Sequence, residues 1–409
     1  MIDRADVVVI GSGGLGAATA FHLARRGTGR VALVDRHELG SQTSPRAAGL
    51  INHARATDYM TEVAKRAAAA FKRFSDDTGQ PLDWAQPGSL KIARRAEDAD
   101  VLESEFARCR RLGLNVKNIS PEAAQRLNPF LHTDGVRAVL HVGDDLYFDP
   151  SQVAVGFARG AETHGATLLP GTTVERVAVE DGRVTGVETD GGTIRTPVVV
   201  DAAGAWTRQV AEASGIRIPL VPTRHQLFVT EPIEGVRADL PIVRVIDAAV
   251  YVRPCEGGLL WGGYEEDPRQ FDMDDLGARF DVKDTPLDAD VLRRLADDVR
   301  DQLPILSAAP VREHRGGLPT MTADRRLIVG PVPGADGFFV AGGCNVGGLS
   351  VSPVVGDALA AWIVDGEPPF DLSPLSITRF ADRTYSEDEL RRITAWQYRH
   401  FYAGESAQA

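Results

Sequence analysis

The first 35 residues alternate between apolar runs and a helical pattern. Residues 7–10 (VVVI) are all apolar, which is typical of a strand buried on both faces of a parallel sheet. Residues 17–26 are rich in Ala and Leu, end in two arginines and are followed by Gly27, as expected for a helix and its C-terminal end. Residues 31–34 form a second apolar run. The pattern therefore predicts a β-α-β unit at the start of the chain.

Glycines at the first strand-to-helix junction indicate what this unit binds. Gly11, Gly13 and Gly16 have the spacing G-x-G-x-x-G. The first permits a tight turn, the second lets the backbone approach a pyrophosphate, and the third lets the helix pack on the strand. Asp35 closes the second strand, where a carboxylate can accept hydrogen bonds from ribose hydroxyls. Together these residues predict a dinucleotide site; the alternative is a structural glycine-rich turn with a surface Asp35.

Similar patterns return in the middle and near the end of the chain. Residues 153–164 predict an amphipathic helix, and residues 173–177 and 198–201 predict strands. Residues 338–341 predict a last strand, which a glycine-rich loop joins to a helix over 353–364. These segments are expected to complete the nucleotide-binding fold that the first strands begin.

Two remaining segments have a different pattern and predict a second domain. The stretches RHQLFVTE, AAVYVRP and GGLLWGGYEE alternate or run apolar as strands do. The sequence therefore predicts an α/β protein, α+β overall, with a discontinuous Rossmann-like cofactor domain and an inserted, mainly antiparallel-sheet substrate domain. The predicted cofactor domain comprises 1–85, 146–219 and 316–409, and the predicted substrate domain comprises 86–145 and 220–315.

Composition and charge restrict the function further. A chain of 409 residues that is 43% hydrophobic suits about two globular domains. The net charge of -12 argues against nucleic acid or an anionic membrane as a partner, and no apolar run is expected to cross a bilayer. We expect a cytoplasmic protein without a metal site, because no signal peptide precedes the first strand and the three cysteines form no C-x-x-C.

A second glycine-rich loop favours FAD over a nicotinamide cofactor. The segment GGCNVGGLSVSP (342–353) lies more than 300 residues after the first glycine motif and precedes a predicted helix. Backbone N–H groups at a helix N-terminus stabilise negative charge, which a reduced flavin carries at its N1–C2=O edge. A cofactor held by both ends of the chain should be long, as FAD is. The alternative for this loop is an ordinary turn that enters a helix.

These motifs, in this order, resemble the D-amino-acid oxidase/sarcosine oxidase superfamily of FAD-dependent amine oxidoreductases. Within it, the chain is most similar to glycine oxidase and to the flavin domain of sarcosine and dimethylglycine dehydrogenases. The resemblance covers nearly the whole chain. Besides the first glycine motif and Asp35, it rests on SPRAAGL (44–50), DPSQV (149–153), AAGAW (202–206), YVRP (251–254) and the long segment 321–356.

The resemblance implies which residues bind FAD, and that FAD is bound non-covalently. Related enzymes attach FAD through a His or a Cys where this chain has Arg46 and Gly317. Backbone N–H groups of residues 347–350 would face the flavin. The full predicted set is Gly11, Gly13, Gly14, Leu15, Gly16, Asp35, Arg36, Ser44, Arg46, Ala47, Ala48, Gly49, Leu50, Val174, Ala203, Gly204, Trp206, Gly343, Asn345, Gly347, Gly348, Leu349 and Ser350.

Three residues are predicted to place the substrate. Tyr251 and Arg253 are two positions apart on a predicted strand and so share a face, where an Arg–carboxylate pair beside a Tyr hydroxyl would orient an amino acid. His225 is predicted to tune the proton of the substrate amine. Related oxidases hold the carboxylate with an Arg where this chain has Leu318, and some activate oxygen with a Lys where it has Trp261. The alternative for Tyr251, Arg253 and His225 is a purely structural role.

The resemblance implies hydride transfer from a secondary or tertiary (N-methyl) amino acid, or a related amine, to flavin N5, giving an imine that hydrolyses. The electron acceptor is oxygen or an unidentified carrier. Oxidation of a D-amino acid or of a 2-hydroxy acid, with His225 as base, stays open. So does a non-catalytic assembly role, which a cavity filled by Trp261 would favour. An oligomer is also open, because the aromatic helix predicted within 385–404 either packs on its own domain or contacts a subunit.

Overall fold

The computed structural model describes residues 2–277 and 279–402; residues 403–409, the end of the predicted cofactor domain and of the predicted C-terminal helix segment, lie outside the described residues. The helices are α1 (Gly14–Arg25), α2 (Asp58–Lys72), α3 (Phe74–Thr78), α4 (Ala96–Arg111), α5 (Pro121–Leu127), α6 (Pro150–Thr163), α7 (Thr207–Ala213), α8 (Ala289–Asp298), α9 (Ile305–Ala308), α10 (Gly348–Asp365) and α11 (Glu387–Arg399). The strands are β1 (Val7–Ile10), β2 (Val31–Asp35), β3 (Leu50–Ile51), β4 (Trp84–Ala85), β5 (Ser89–Ala93), β6 (Val116–Ile119), β7 (Ala138–Val142), β8 (Leu146–Phe148), β9 (Thr167–Pro170), β10 (Val174–Glu180), β11 (Arg183–Thr189), β12 (Gly192–Arg195), β13 (Val199–Asp201), β14 (Val221–Pro222), β15 (His225–Thr230), β16 (Ile242–Val245), β17 (Val250–Cys255), β18 (Gly258–Gly263), β19 (Val311–Gly317), β20 (Thr320–Met321), β21 (Ile328–Pro331) and β22 (Phe338–Gly342).

A six-stranded sheet forms the centre of the cofactor domain. Its order is β21-β22-β13-β1-β2-β9, and every neighbouring pair is parallel except β21 and β22. Val7 and Val9 of β1 face a core shared with α1, α6 and α10, while Val8 and Ile10 face a core shared with β10–β12. Apolar residues therefore run without alternation, because each face of the sheet is covered. This confirms the predicted Rossmann-like arrangement.

The two helices that enter from glycine-rich loops begin earlier than the sequence predicts. α1 begins at Gly14 rather than at residue 17, and α10 begins at Gly348 rather than at residue 353. Pro353, which suggested a helix start, lies inside α10. A proline there lacks the N–H that would bond the carbonyl of Leu349, but this oxygen accepts from the Ser352 hydroxyl at 2.9 Å instead. The first turn of α10 therefore reaches further toward the cofactor than predicted.

The inserted segments form one eight-stranded mixed sheet. Its order is β19-β15-β18-β17-β16-β5-β7-β6, and β16 with β5 is its parallel pair. One face packs on α8 and α9 and buries Trp261 there, against Phe228. The strands come from both segments assigned to the substrate domain, although β19 crosses the predicted boundary at 315/316. The exact domain boundaries stay a prediction.

Among the residues that the structure describes, one helix meets the length and hydropathy criteria of a membrane span, where the sequence analysis expected no such segment. The helix is α10, and 67% of this 18-residue stretch is buried inside the fold. α10 packs against α1 so closely that a Cβ on Gly356 would lie 2.6 Å from the backbone of Ala18. This is the environment of a core helix, which passes the same test.

Candidate active site

A slot for the adenosine half of a dinucleotide lies at the carboxyl ends of β1, β2 and β13. The predicted residues that line it are Gly11, Gly13, Asp35, Arg36, Ser44, Val174, Ala203, Gly204 and Trp206. Gly11 has φ +93°, and a Cβ there would lie 2.5 Å from the carbonyl oxygen of Ala202. Only glycine fits this turn, as the sequence predicts.

Asp35 holds the glycine turn and also faces the slot. One of its carboxylate oxygens accepts from the Ser12 backbone N–H at 2.7 Å and from the Ser12 hydroxyl at 2.6 Å. The other accepts from the His37 N–H at 2.8 Å. A carboxylate offers about four acceptor sites, so these bonds leave room for a ribose hydroxyl. The Arg36 guanidinium lies over the Trp206 ring at 5.3 Å, and both residues border the slot.

A second cavity continues from the adenosine slot to the substrate domain. The two cavities share Gly13, Thr43, Ser44, Ala202 and Gly204, so together they form one elongated site. Further predicted residues that line the second cavity are Gly14, Leu15, Arg46, Ala47, Ala48, Gly49, Leu50, Gly347, Gly348, Leu349 and Ser350. The first N–H groups of α10 have no acceptor within the helix and lie here, where they can stabilise a reduced flavin. The residues present thus fit FAD at both of its ends.

Three predicted cofactor residues lie outside this elongated site. Gly16 serves helix packing, because a Cβ there would lie 1.9 Å from the carbonyl oxygen of Gly11. Gly343 adopts φ +61° in the loop before α10. Asn345 braces that loop by donating to the Gly343 carbonyl at 2.5 Å and accepting from the Thr322 N–H at 3.0 Å. These residues shape the cofactor loop and do not line the slot.

Arg253 also lies outside the cavity, although Tyr251 lines it. The Arg253 guanidinium donates to the carbonyl of Ala48 at 2.6 Å and to that of Pro254 at 2.7 Å, and it stacks on the Tyr147 ring at 4.8 Å. Strand alternation predicts the face of a residue but not how far along the strand the cavity extends. In this structure Arg253 holds the backbone of the 44–50 loop, and its guanidinium does not face the cavity where it was predicted to bind a carboxylate.

His225 lines the cavity between two tyrosines. Its Nε2 lies 2.8 Å from the Tyr251 hydroxyl, and its Nδ1 lies 2.7 Å from the Tyr398 hydroxyl. Burial lowers the pKa of His225 to about 4, so the imidazole is neutral at physiological pH. A neutral imidazole donates from one nitrogen and accepts at the other, so one tyrosine receives a hydrogen bond and the other gives one. Burial also raises the pKa of Tyr251 above its ordinary value, which keeps its proton in place.

Two arginines that the sequence analysis missed line the same cavity. Arg244 is 2% exposed, and it donates to Asp145 at 2.9 Å. Arg55 donates to the Ser350 hydroxyl at 3.2 Å. Burial and the positive charge of Arg244 lower the pKa of Arg55. A signal for Arg244 existed in the sequence, since a single Arg interrupts the apolar strand IVRVI.

The charge of this region is unbalanced. The lining contains Arg46, Arg55 and Arg244, and none of its described residues is an Asp or Glu. Asp145, behind Arg244, is fully buried and also accepts from the Ser89 hydroxyl at 2.6 Å. Among the described residues Arg244 has an ion pair with Asp145, whereas no carboxylate lies within ion-pair distance of Arg55, and a buried cation without a paired counter-charge is costly. The cavity is therefore suited to an anionic group.

The end of the chain closes the cavity with aromatic rings. Tyr264, Phe401 and Tyr402 line it, and the Phe401 ring stacks on Tyr264 at a centroid distance of 4.2 Å. The Tyr402 hydroxyl is hydrogen-bonded to Arg244, and burial raises its pKa. Trp261 does not line the cavity, because it is buried on the other face of the sheet. The aromatic end of α11 thus packs on its own chain. Among residues 2–277 and 279–402 no group of three or more metal-binding side chains occurs.

Comparison with known proteins agrees with this geometry. Residues 6–362 match the protein-family model described as FAD dependent oxidoreductase. The chain is 32% identical over 382 residues to the mitochondrial sarcosine dehydrogenase of Mus musculus, covering 92% of this chain and 41% of that protein. It is 30% identical over 404 residues to the mitochondrial dimethylglycine dehydrogenase of Rattus norvegicus, covering 95% and 47%. The chain thus spans less than half the length of these curated relatives.

Two solved structures with the same fold match this chain over their own full length. L-proline dehydrogenase from P. horikoshii superimposes with a TM-score of 0.84 and 25% identity, covering 94% of this chain and 100% of that one. Glycine oxidase from Geobacillus kaustophilus gives a TM-score of 0.81 and 25% identity, again covering 94% and 100%. The resemblance inferred from the motifs is confirmed. With the family match over most of its length and a slot that fits the cofactor at both ends, the chain belongs to the FAD-dependent oxidoreductase family, and FAD is its cofactor.

Proposed function

We propose that the protein oxidises a secondary or tertiary N-methyl amino acid, or a related amine that carries a carboxylate. The observation that carries the proposal is the cavity beside the N-terminus of α10. Arg55 and Arg244 line this cavity together with the uncharged pair His225 and Tyr251. Named relatives support it, since sarcosine and dimethylglycine are N-methyl amino acids. Bound FAD supplies the oxidation, because its ring system accepts a hydride from the carbon next to the substrate nitrogen.

Arg55 and Arg244 would bind the substrate carboxylate. Both line the cavity, and Asp145 balances only one of the two charges. A carboxylate that enters receives charge-assisted hydrogen bonds and removes the cost of the unbalanced cation. Asp145 in turn holds Arg244 in one orientation. The carboxylate would therefore set the position of the amine in the cavity.

Tyr251 and His225 would place the amine end. Because the pKa of His225 is about 4, the imidazole carries no positive charge that would repel an ammonium group. Its hydrogen bonds to Tyr251 and Tyr398 hold the imidazole between two uncharged hydroxyl groups. Such a neutral wall suits an amine that reacts in its uncharged form. A 2-hydroxy acid needs a base for its hydroxyl proton, and an imidazole with so low a pKa is poorly suited to that task.

The cavity also bears on the non-catalytic alternative and on FAD attachment. Trp261 leaves the cavity open, which removes the feature that would have favoured an assembly role. Arg46 and Gly317 line the cavity where related enzymes carry their attachment residues, so we propose that FAD is held non-covalently. Acid precipitation tests this, since it should release the yellow colour into the supernatant. We propose oxygen or a separate carrier as the acceptor.

An anaerobic visible spectrum tests the proposed function. The purified, FAD-loaded protein is mixed with N-methylglycine, N,N-dimethylglycine, proline, a D-amino acid and a 2-hydroxy acid. Bleaching of the flavin bands by an N-methyl amino acid supports the proposal. A matched amine without the carboxylate should bleach the flavin far more slowly. Bleaching by the 2-hydroxy acid alone, or by no compound, would overturn it.

A further inference from the structure

A second chamber lies beside the proposed amine cavity. Its walls come from the loop after β3, from α4, from Lys91 of β5 and from the segment before β21. Arg55, Tyr402 and Phe401 belong to the walls of both spaces. The chamber is therefore a neighbour of the amine cavity, with a partition of side chains between them.

The chamber has an excess of positive charge. Lys91, Arg55, Arg108 and Arg325 line it, against the acids Asp100 and Glu105. Lys91 and Glu105 form a buried ion pair and so cancel. Arg325 donates from its Nη1 to the carbonyls of His400 and Phe401, which fixes the partition, so the uncompensated charge of the described wall is that of Arg55 and Arg108 against Asp100.

Buried donors in the chamber wall have no acceptor. The Nε atoms of Arg55 and Arg108 are buried and lack a hydrogen-bond partner among the described residues. Arg108 uses its Nη2 on the backbone carbonyl of Arg55, so the two guanidinium groups belong to one small region of the wall. A charged donor that is removed from water without an acceptor is costly. The pattern is that of a site whose ligand brings the acceptors.

We propose that this chamber is a second binding site, for a small molecule that carries a carboxylate or phosphate group. Arg108 is its central contact, since the residue lines the chamber and not the amine cavity. Arginine suits both groups because its planar fork donates two parallel hydrogen bonds to two oxygens. The site is independent of the substrate class proposed above.

Calorimetric titration of the FAD-loaded protein with succinate, and separately with inorganic phosphate, tests the proposal. We expect one of the two anions to bind, and Arg108→Gln to weaken it by about tenfold or more, the effect of losing one charge-assisted hydrogen bond. Arg110→Gln is the matched control, because Arg110 is an exposed arginine on the same helix, so its removal should leave binding unchanged.

A second substitution keeps the test independent of Arg108. Ser104 lines the chamber at an exposed position, so Ser104→Asp adds a negative charge with little structural cost, and Ser104→Ala is its control. Ser104→Asp should lower the affinity for the anion severalfold, and Ser104→Ala should leave that affinity unchanged. Absence of binding by both anions, or equal binding by Arg108→Gln and wild type, would each overturn the proposal. None of these results depends on which amine the protein oxidises.

Discussion

Replacing Asp145 by Asn should damage both stability and carboxylate binding. Asp145 is fully buried and accepts hydrogen bonds from the His53 N–H at 2.8 Å, the Ser89 hydroxyl at 2.6 Å and Arg244 at 2.9 Å. Asparagine has nearly the same shape but no charge. Removing one partner of a buried ion pair costs roughly 3–5 kcal/mol, because the other charge stays buried without compensation. We expect a loss of that order in the free energy of unfolding.

The catalytic effect follows from the loosened Arg244. A charge-assisted hydrogen bond contributes about 1.5–3 kcal/mol. If Arg244 loses its orientation and with it this bond to the substrate, KM for an N-methyl amino acid should rise roughly 10- to 150-fold. The kcat/KM for the matched amine without a carboxylate should stay within about twofold, since it makes no use of Arg244. A merely structural role for Asp145 would lower both values alike.

The dependence of stability on acid pH tests whether the negative charge of Asp145 is responsible. Burial alone would raise the pKa of Asp145, but the charge of Arg244 and the hydrogen bonds from His53 and Ser89 hold it well below its ordinary value of 3.8. Its contribution is therefore present above pH 3.8 and is lost as pH falls through the lower, folded-state pKa. Asp145→Asn should remove this part of the acid sensitivity.

Denaturant unfolding at several pH values and steady-state kinetics measure these effects. Asp144→Asn makes the same change in charge one residue away, at a part-buried carboxylate that accepts only from the Asn115 N–H in this structure. It should cost about 1 kcal/mol or less. If Asp145→Asn is as mild as this control, or if both substrates lose activity equally, the reasoning from the buried ion pair is refuted.

Three further predictions follow. Gly11→Ala should abolish FAD binding, because its Cβ would lie 2.5 Å from the Ala202 carbonyl oxygen; Gly27→Ala, also at positive φ but with no atom within 4 Å, should load FAD normally in the same absorbance assay. The pH profile of kcat/KM should show no inflection near pH 6.5 from His225, whose pKa is about 4, and an inflection there that His225→Gln removes would contradict this. Burial raises the pKa of Asp201 to about 8, so ionisation of this side chain lowers the stability of the folded protein as pH rises from 3.8 through 8. Asp201→Asn should therefore raise the melting temperature more at pH 9 than at pH 5. An equal gain at both pH values would count against this prediction.

Local patterns predicted the glycine turn and the acid of the cofactor slot because both belong to one β-α-β unit. β1 has the predicted bounds, and the turn at Gly11 and the acid at Asp35 lie where the spacing places them. The start of α10 was predicted wrongly, because proline does not mark a helix start reliably when a side chain can satisfy the carbonyl that it leaves unpaired. Such compensation by Ser352 depends on a rotamer, which no pattern of residue types records.

The substrate end was predicted less well because it is assembled from distant segments. Arg55 and Arg244 are 189 positions apart, and Tyr402 joins them from the end of the chain. Arg253 shared a strand with Tyr251 and was the natural candidate, yet its guanidinium is occupied by backbone carbonyls. Which arginine of a strand reaches a cavity depends on where the neighbouring loop ends, and this is a tertiary property.

Net charge is a poor guide to such a site. The chain carries -12, yet three arginines and no described acid line the cavity. At physiological salt the field of distant surface acids is screened within about 8 Å, whereas buried charges in contact are screened far less. A zwitterionic amino acid has no net charge to be repelled by the surface, while its carboxylate still meets Arg55 and Arg244. The acidic surface and the basic cavity are therefore compatible with one substrate, and raising the salt concentration should change kcat/KM for it only slightly.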